Sequence, residues 1–193
     1  MFDNSADVGN WQPTVLVLDA ESGQTIFTVD LNSDPALAKF KLGYPHAITE
    51  ARDIRFSPDG KLLAVGTNQG QVKLFDSQTG QLIRSLDDER GRMADKNTTT
   101  DQNAIARAIG HVASLAFSPD GTCVMSSSKG EGGSVAFWNA NTGRELVRLP
   151  VSGGFGGCVA FSPQGDTVIC GTEDGVVTLW DVVSGTELRT LAK

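Results

Sequence analysis

Cationic charge is scarce in this chain, with 16 Lys and Arg against 23 Asp and Glu and a formal net charge of −7. A general affinity for nucleic acid or anionic lipid wants a basic footprint, so the bulk charge argues against both and leaves only a local patch. Histidine is scarcer still. His46 and His111 stand far apart, and neither comes with a nucleophile or a metal-ligand set beside it. The three cysteines, Cys123, Cys158 and Cys170, have no C-x-x-C spacing, which excludes the usual thiolate metal clusters. Each falls in an expected strand and reads as a buried free thiol. Cys158 and Cys170 are equidistant from Gln164 and could face each other across a hairpin, which leaves an occasional disulfide open. The chain is too polar for a membrane protein. Its start, Met1 to Asp7, carries acid where a secretory signal needs a cationic region and an apolar run. The expected setting is intracellular, cytoplasmic rather than nuclear.

What is abundant is glycine, 22 residues, and it is spaced. The turn Ser-Pro-Asp-Gly occurs at Ser57 to Gly60 and Ser118 to Gly121, and Ser-Pro-Gln-Gly at Ser162 to Gly165, each after a phenylalanine: Phe56, Phe117, Phe161. Proline presets φ at the second turn position, and glycine takes the positive φ that ends the turn. A second frame, Asp or Asn, two residues, Ser or Thr, then Gly, occurs at Asp19 to Gly23, Asp76 to Gly80, Asn139 to Gly143 and Asp181 to Gly185. The intervals between those glycines are 57, 63 and 42 residues. The last is the bare period and the others carry insertions. Between the turns lie short apolar runs such as Val168 to Cys170 and Val176 to Trp180, so each unit holds four antiparallel strands.

A period near 40–45 residues with four strands per unit is the signature of radially stacked sheets. Here the chain resembles the WD40 family of β-propellers. The resemblance rests on Trp180-Asp181, its variants Trp138-Asn139, Phe75-Asp76 and Leu18-Asp19, and the three Phe-Ser-Pro-(Asp/Gln)-Gly turns. It implies an all-β fold of about three and a half four-stranded blades across residues 1–193: a partial blade at 14–31, blades at 46–86, 111–149 and 151–191, and an insert at 87–110. Such a count leaves the ring incomplete, so another chain or missing sequence is expected to complete it.

The resemblance also implies structural roles. Asp19, Asp76, Asn139 and Asp181 are expected to accept from backbone N–H groups in their own turns rather than to catalyse. Thr172, Asp174 and Trp180 match three members of the family's hydrogen-bonded tetrad, but no unit holds all four. His46 fits the family's structural histidine better than His111, which reads as a loop residue. Family members that recruit substrates to a ubiquitin ligase often carry Arg two residues after the turn Asp. The residues here are Glu21, Gln78, Asn141 and Val183, which do not support that subclass.

Other motifs have plain explanations. Asn97-Thr98-Thr99 matches a glycosylation acceptor by accident, in the absence of a secretory signal. Gly153 to Gly157 lacks the Lys-Ser/Thr and the helix of a phosphate cradle and reads as a link between blades. No catalytic residue, metal or cofactor is assigned.

The expected function is a non-catalytic interaction scaffold that binds protein or peptide partners, within a larger complex, through the loop-bearing top face. The inserts 32–45 and 87–110 join the last strand of one blade to the first of the next and are expected side by side on that face. Lys39, Lys41, Tyr44, Arg90, Arg92, Arg107 and Glu131 are the expected contact residues. A helical turn is allowed for at Ala104 to Ala108. Two other readings stand beside this one: a nucleic-acid-associated propeller using the basic residues of the second insert, and a ligand-binding or enzymatic propeller using the axial channel.

Overall fold

The computed structural model describes residues 14–31, 49–86, 111–129, 133–150 and 156–192. The chain divides into two units, Met1–Glu50 and Ala51–Lys193. Among the described residues the regular structure is all strand. The first unit contributes one antiparallel hairpin, β1 (Thr14–Leu18) paired with β2 (Thr25–Asp30). Val15, Val29 and Leu31 are buried, while Leu16, Leu18 and Ile26 on the alternate positions are exposed.

The second unit holds three four-stranded antiparallel sheets, each in chain order. Blade one is β3 (Ala51–Phe56), β4 (Leu62–Thr67), β5 (Val72–Asp76) and β6 (Leu82–Leu86). Blade two is β7 (His111–Phe117), β8 (Cys123–Lys129), β9 (Ser134–Asn139) and β10 (Glu145–Pro150). Blade three is β11 (Gly156–Phe161), β12 (Thr167–Thr172), β13 (Val177–Asp181) and β14 (Glu187–Ala192). With the hairpin this makes the expected all-β fold of about three and a half four-stranded blades.

The turns fix the register. In the first turn of blade one the Ser57 hydroxyl accepts from the Leu62 N–H at 2.9 Å and donates to Asp59 at 2.7 Å. Blade two repeats both bonds with Ser118, Cys123 and Asp120. In blade three Gln164 stands where the carboxylate should be, and Asp166 takes the Ser162 hydroxyl instead, at 2.7 Å. The last turn of each blade is locked by its leading side chain. Asp76 accepts from the backbone N–H of Gln78 and Thr79 at 3.0 and 2.8 Å and from the Thr79 hydroxyl at 2.8 Å. Gly80 then turns at φ 70°, where any side chain would be strained. Asp19, Asn139 and Asp181 hold their turns in the same way. The Thr79 hydroxyl, followed by the backbone donors, keeps the Asp76 carboxyl below its usual range.

Successive blades pack face to face, and that is where the core lies. Ala64, Val72, Leu74 and Leu86 of blade one meet Val112, Leu115, Val124, Ala136 and Trp138 of blade two. Met125, Val135, Phe137 and Leu149 on the other face of blade two meet Val159, Val168 and Cys170 of blade three. The Phe137 and Phe161 rings cross that second interface edge to face, centroids 6.0 Å apart. Close approach needs small residues at one repeated position. A Cβ on Gly66 of β4 would lie 2.4 Å from Val112 of β7. The matching Ser127 of β8 instead donates to the Gly157 carbonyl of β11 at 2.6 Å.

Polar groups also tie blade one to blade two. The Leu115 N–H donates to Asp53 Oδ2 at 2.7 Å, and Arg55 Nε donates to the Leu115 carbonyl at 3.1 Å. Arg55 and Asp53 are themselves ion-paired at 3.0 Å. The pair therefore offers a backbone donor and acceptor what a neighbouring strand would offer.

Three expectations are corrected here. His111 is not a loop residue but the first residue of β7, paired with Lys129, because a register shift between Val112 and Ser114 takes up one residue and lets the pairing with β8 run back to it. Cys158 and Cys170 do not face each other. The blade-three turn pairs Val159 with Cys170, so the two thiols lie on opposite faces, Cys158 exposed and Cys170 buried. Nor are all three thiols buried, although Cys123 and Cys170 are desolvated enough to be pushed up to about 11. The helical turn allowed for at Ala104 to Ala108 lies outside the described residues, as does His46.

Removal of the Asp53 carboxylate tests the polar tie. Asp53→Ala strips the Leu115 N–H of its partner and is expected to destabilise the protein by about 1–3 kcal/mol, read as a lower urea midpoint. An unchanged midpoint would show that water replaces the carboxylate without loss.

Candidate partner-binding cleft

Each blade has two unlike ends. The Ser-Pro-(Asp/Gln)-Gly turns and the Asp/Asn-led turns close the same end, and backbone bonds join them: Ser77 N–H to Lys61 O, Ala140 N–H to Thr122 O, and Val182 N–H to Asp166 O, at 3.0, 2.9 and 2.9 Å. The other end carries the turns between second and third strands and the connections from blade to blade.

At that second end the first strands of the three blades converge on a cleft of about 310 Å³. Arg52 enters from β3, His111, Val112 and Ala113 from β7, Lys129 from the end of β8, Gly157 from β11, and Glu173 from the turn after β12. The strands account for the meeting. His111 pairs with Lys129 across β7 and β8, and Lys129 forms an ion pair with Glu173 that spans blades two and three. Gly157 is required where it stands, since a Cβ there would come within 2.5 Å of the Gly171 carbonyl oxygen. His111 titrates below the usual histidine value of 6.5, first because it is partly buried, then because of Arg52 and Lys129, with Glu173 opposing. The cleft thus combines two fixed cations, one carboxylate and one imidazole kept mostly neutral at neutral pH.

The repeat-motif side chains occupy other places. Phe75 and Trp138 are buried, and the Trp138 indole N–H donates to the Ser126 hydroxyl at 2.9 Å. Ser126 corresponds to Cys170 in blade three, so Trp180 has a thiol at the matching position. Thr172 there donates to Asp174 instead. Asp19, Asp76, Asn139 and Asp181 sit in their turns; for the described residues of the second unit these turns are at the end away from the cleft. The expected contact residues Lys39, Lys41, Tyr44, Arg90, Arg92, Arg107 and Glu131 lie outside the described residues.

Sequence reasoning missed Arg52, His111 and Glu173 as neighbours. They are 59 and 62 positions apart in the chain, and only the pairing of strands brings them together. The usable signal was positional: each sits at the same end of an inner strand or its partner. Among the described residues no group of three or more His, Cys, Asp or Glu could hold a metal ion, and no helix is long and apolar enough to cross a membrane.

The histidine provides a direct check. Glu173→Gln removes a charge that favours the imidazolium and is expected to lower the His111 titration midpoint further, while Arg52→Gln is expected to raise it, both followed by NMR. Because burial already depresses this group, charging it opposes folding, and stability is expected to fall as pH drops below the ordinary 6.5.

Comparison with known proteins agrees with the geometry. The WD40 domain of anaphase-promoting complex subunit 4 matches residues 23–100, and the WD domain, G-beta repeat, matches residues 103–139 and 157–181. An uncharacterized WD repeat-containing protein of Synechocystis is 28% identical over 161 residues, covering 72% of this chain and 45% of that protein. The WD repeat and SOCS box-containing protein 1 of Danio rerio is 30% identical over 130 residues, covering 66% and 26%. Protein HIR1 of Cryptococcus neoformans is 28% identical over 146 residues, covering 72% and 15%. The chain therefore spans less than half the length of each of these relatives. Blades, turn motifs and relatives agree, and the chain belongs to the WD40-repeat family.

Proposed function

We propose that this chain is a non-catalytic scaffold that binds protein or peptide partners at the end of the blades where the cleft opens. The observation that carries the reading is that Arg52, His111, Lys129 and Glu173, from three different blades, line one cleft at that end. The long connections that lead into β3 and β7 are proposed to lie at this same end, because Arg52 and His111 stand at the starts of those strands. Long connections on a rigid sheet framework are where recognition resides, since their sequence can change without disturbing the core. Lys39, Lys41, Tyr44, Arg90, Arg92, Arg107 and Glu131 remain the proposed contacts within or near those connections. Three free cysteines suit an intracellular, cytoplasmic setting.

A second element of the proposal is that another chain or further sequence continues the stack beyond blade three. The three blades correspond position by position in sequence. Ala64, Leu74 and Leu86 of blade one, and Met125, Phe137 and Leu149 of blade two, are all buried, 4% exposed at most. Their counterparts in blade three are Ile169, Leu179 and Leu191, and Ile169 and Leu191 are 36% and 50% exposed. The same apolar positions that a following blade covers twice are left open the third time.

Deletion of Arg90 to Arg107 is expected to leave the β-sheet circular dichroism intact and to weaken partner capture at least tenfold, about 1.4 kcal/mol. Unchanged capture would move the site to another face. For the open sheet face, Leu179→Asp is expected to reduce self-association and binding of a hydrophobic dye without loss of sheet signal. A monodisperse wild-type monomer by light scattering, with no dye binding, would count against a missing neighbour.

A further inference from the structure

Each following blade seats two turn glycines on the blade before it. In the first turns, a Cβ on Gly121 of blade two would lie 3.6 Å from Pro58 of blade one, and a Cβ on Gly165 of blade three 3.2 Å from Pro119 of blade two. In the last turns, a Cβ on Gly143 would lie 3.5 Å from Leu86, and one on Gly185 3.5 Å from Leu149. A proline and a leucine of one blade thus lie under the first-turn and last-turn glycines of the next, twice over. Between the two seats, Val112 of blade two reaches over Gly66 of blade one. Blade three repeats the receiving half, with Pro163, Leu191 and Gly171 at the positions of Pro58, Leu86 and Gly66. There a Cβ on Gly171 would meet Cys158 of its own blade, at 3.1 Å, and Leu191 is 50% exposed.

We propose that the open face of blade three receives a folded blade of the same repeat, not contained in these 193 residues, which seats its first-turn and last-turn glycines on Pro163 and Leu191 and a branched aliphatic side chain over Gly171. This rests on the reading that the stack continues beyond blade three, and it states what continues it and where it is held. A second copy of this chain does not fit the role. A blade that follows another must offer the face it turns to its predecessor, and on that face of blade one Leu63, Val65 and Phe75 are already 1% exposed or less within the chain itself. The corresponding faces of blades two and three are buried in the two interfaces described above. A lone strand or helix does not fit either. The two glycines belong to separate turns, which backbone bonds such as Ala140 N–H to Thr122 O hold side by side, so only a folded blade presents both at once. Glycine is required at both seats, since the turns run at positive φ and a side chain would also press on the seat below.

Cys158 reports on this face. It is exposed, whereas Ser114 at the same position of blade two is 7% exposed under blade three. Cys123 and Cys170 are pushed up to about 11, so Cys158 is the thiol expected to react first with a thiol reagent. The test extends the full chain with a repeat of residues 151–155 and then of blade two, residues 111–150, with Cys123→Ser in the added copy. The extended chain is expected to label at Cys158 roughly tenfold or more slowly than the 193-residue chain. Gly121→Ala with Gly143→Ala in the added copy alone is expected to restore fast labelling. A second measurement uses the chain as it stands. Gly60 and Gly165 turn at φ 72° and 78°, but a Cβ on Gly60 meets nothing within 4 Å. Gly165→Ala is therefore expected to lower the urea midpoint more than Gly60→Ala, the difference being the seat on Pro119. Unchanged Cys158 labelling in the extended chain, whether the added blade folds or not, would overturn the proposal. So would equal midpoints for the two glycine variants, or a dimer of the 193-residue chain that already protects Cys158. Dye binding that Leu179→Asp removes, together with unchanged Cys158 labelling in the extended chain, rejects the blade as occupant and leaves the missing neighbour standing. Absence of dye binding by a monodisperse monomer rejects the neighbour itself.

Discussion

The structure depends on one constraint: a four-stranded sheet with two apolar faces cannot bury either of them by itself. Each blade is apolar on both sides, so stability comes from pairs of faces rather than from any single sheet, and each of the three packed blades depends on its nearest neighbours. Blade two is the clearest case, since Val124 and Trp138 point to one neighbour and Met125 and Phe137 to the other. Side-chain size at the interface is set by the same constraint. Gly66, Ser127 and Gly171 hold one position in the three blades, and nothing larger than serine occurs there. A larger side chain would separate the sheets and cost contact along the whole interface.

From that arrangement follows a division between the two ends. At one end every connection is a tight turn with its own side-chain lock, repeated with small changes from blade to blade. Such turns leave no slack for recognition. At the other end the locks are weaker and the connections vary in length, and side chains from adjacent blades come within reach of one another. The framework thus fixes positions at the cleft without fixing the identity of the residues there, which is how one fold carries unrelated binding functions.

Much of the architecture was legible in the sequence because its signals are local. Four Asp/Asn-led turns, three Ser-Pro turns and an apolar alternation are each contained in a few residues, and the positive-φ glycines sit where the turn chemistry demands them. The details that failed are those set by register. A single residue of offset in the blade-three hairpin sent Cys158 and Cys170 to opposite faces, since side chains alternate with period two. His111 was read from its distance to Phe117, which does not reveal that β7 starts early. The cleft could not be read at all, because Arg52, Lys129 and Glu173 are joined only by sheet pairing and blade packing. The substitution of Asp166 for a turn carboxylate at Gln164 is a middle case, visible once the hydroxyl of Ser162 is asked where its proton goes.

The turn locks have a consequence beyond their own turns. Among the described residues of the three packed blades, Asp59, Asp76, Asp120, Asp166 and Asp181 gather at one end, with Lys61 and Arg144 as the cations there. Hydrogen bonds keep Asp59, Asp76, Asp120 and Asp181 below the usual carboxylate range, so these groups stay ionised even in mild acid. At the opposite end Arg52 and Lys129 are matched by Glu173 and Asp174. The packed blades therefore carry their surplus negative charge at the locked-turn end, while the charges described at the cleft end balance. An anionic body approaching in solution would be repelled from the locked turns and so turned toward the open end. That torque is screened beyond about 8 Å at physiological salt, so it orients a partner only in the last steps of encounter.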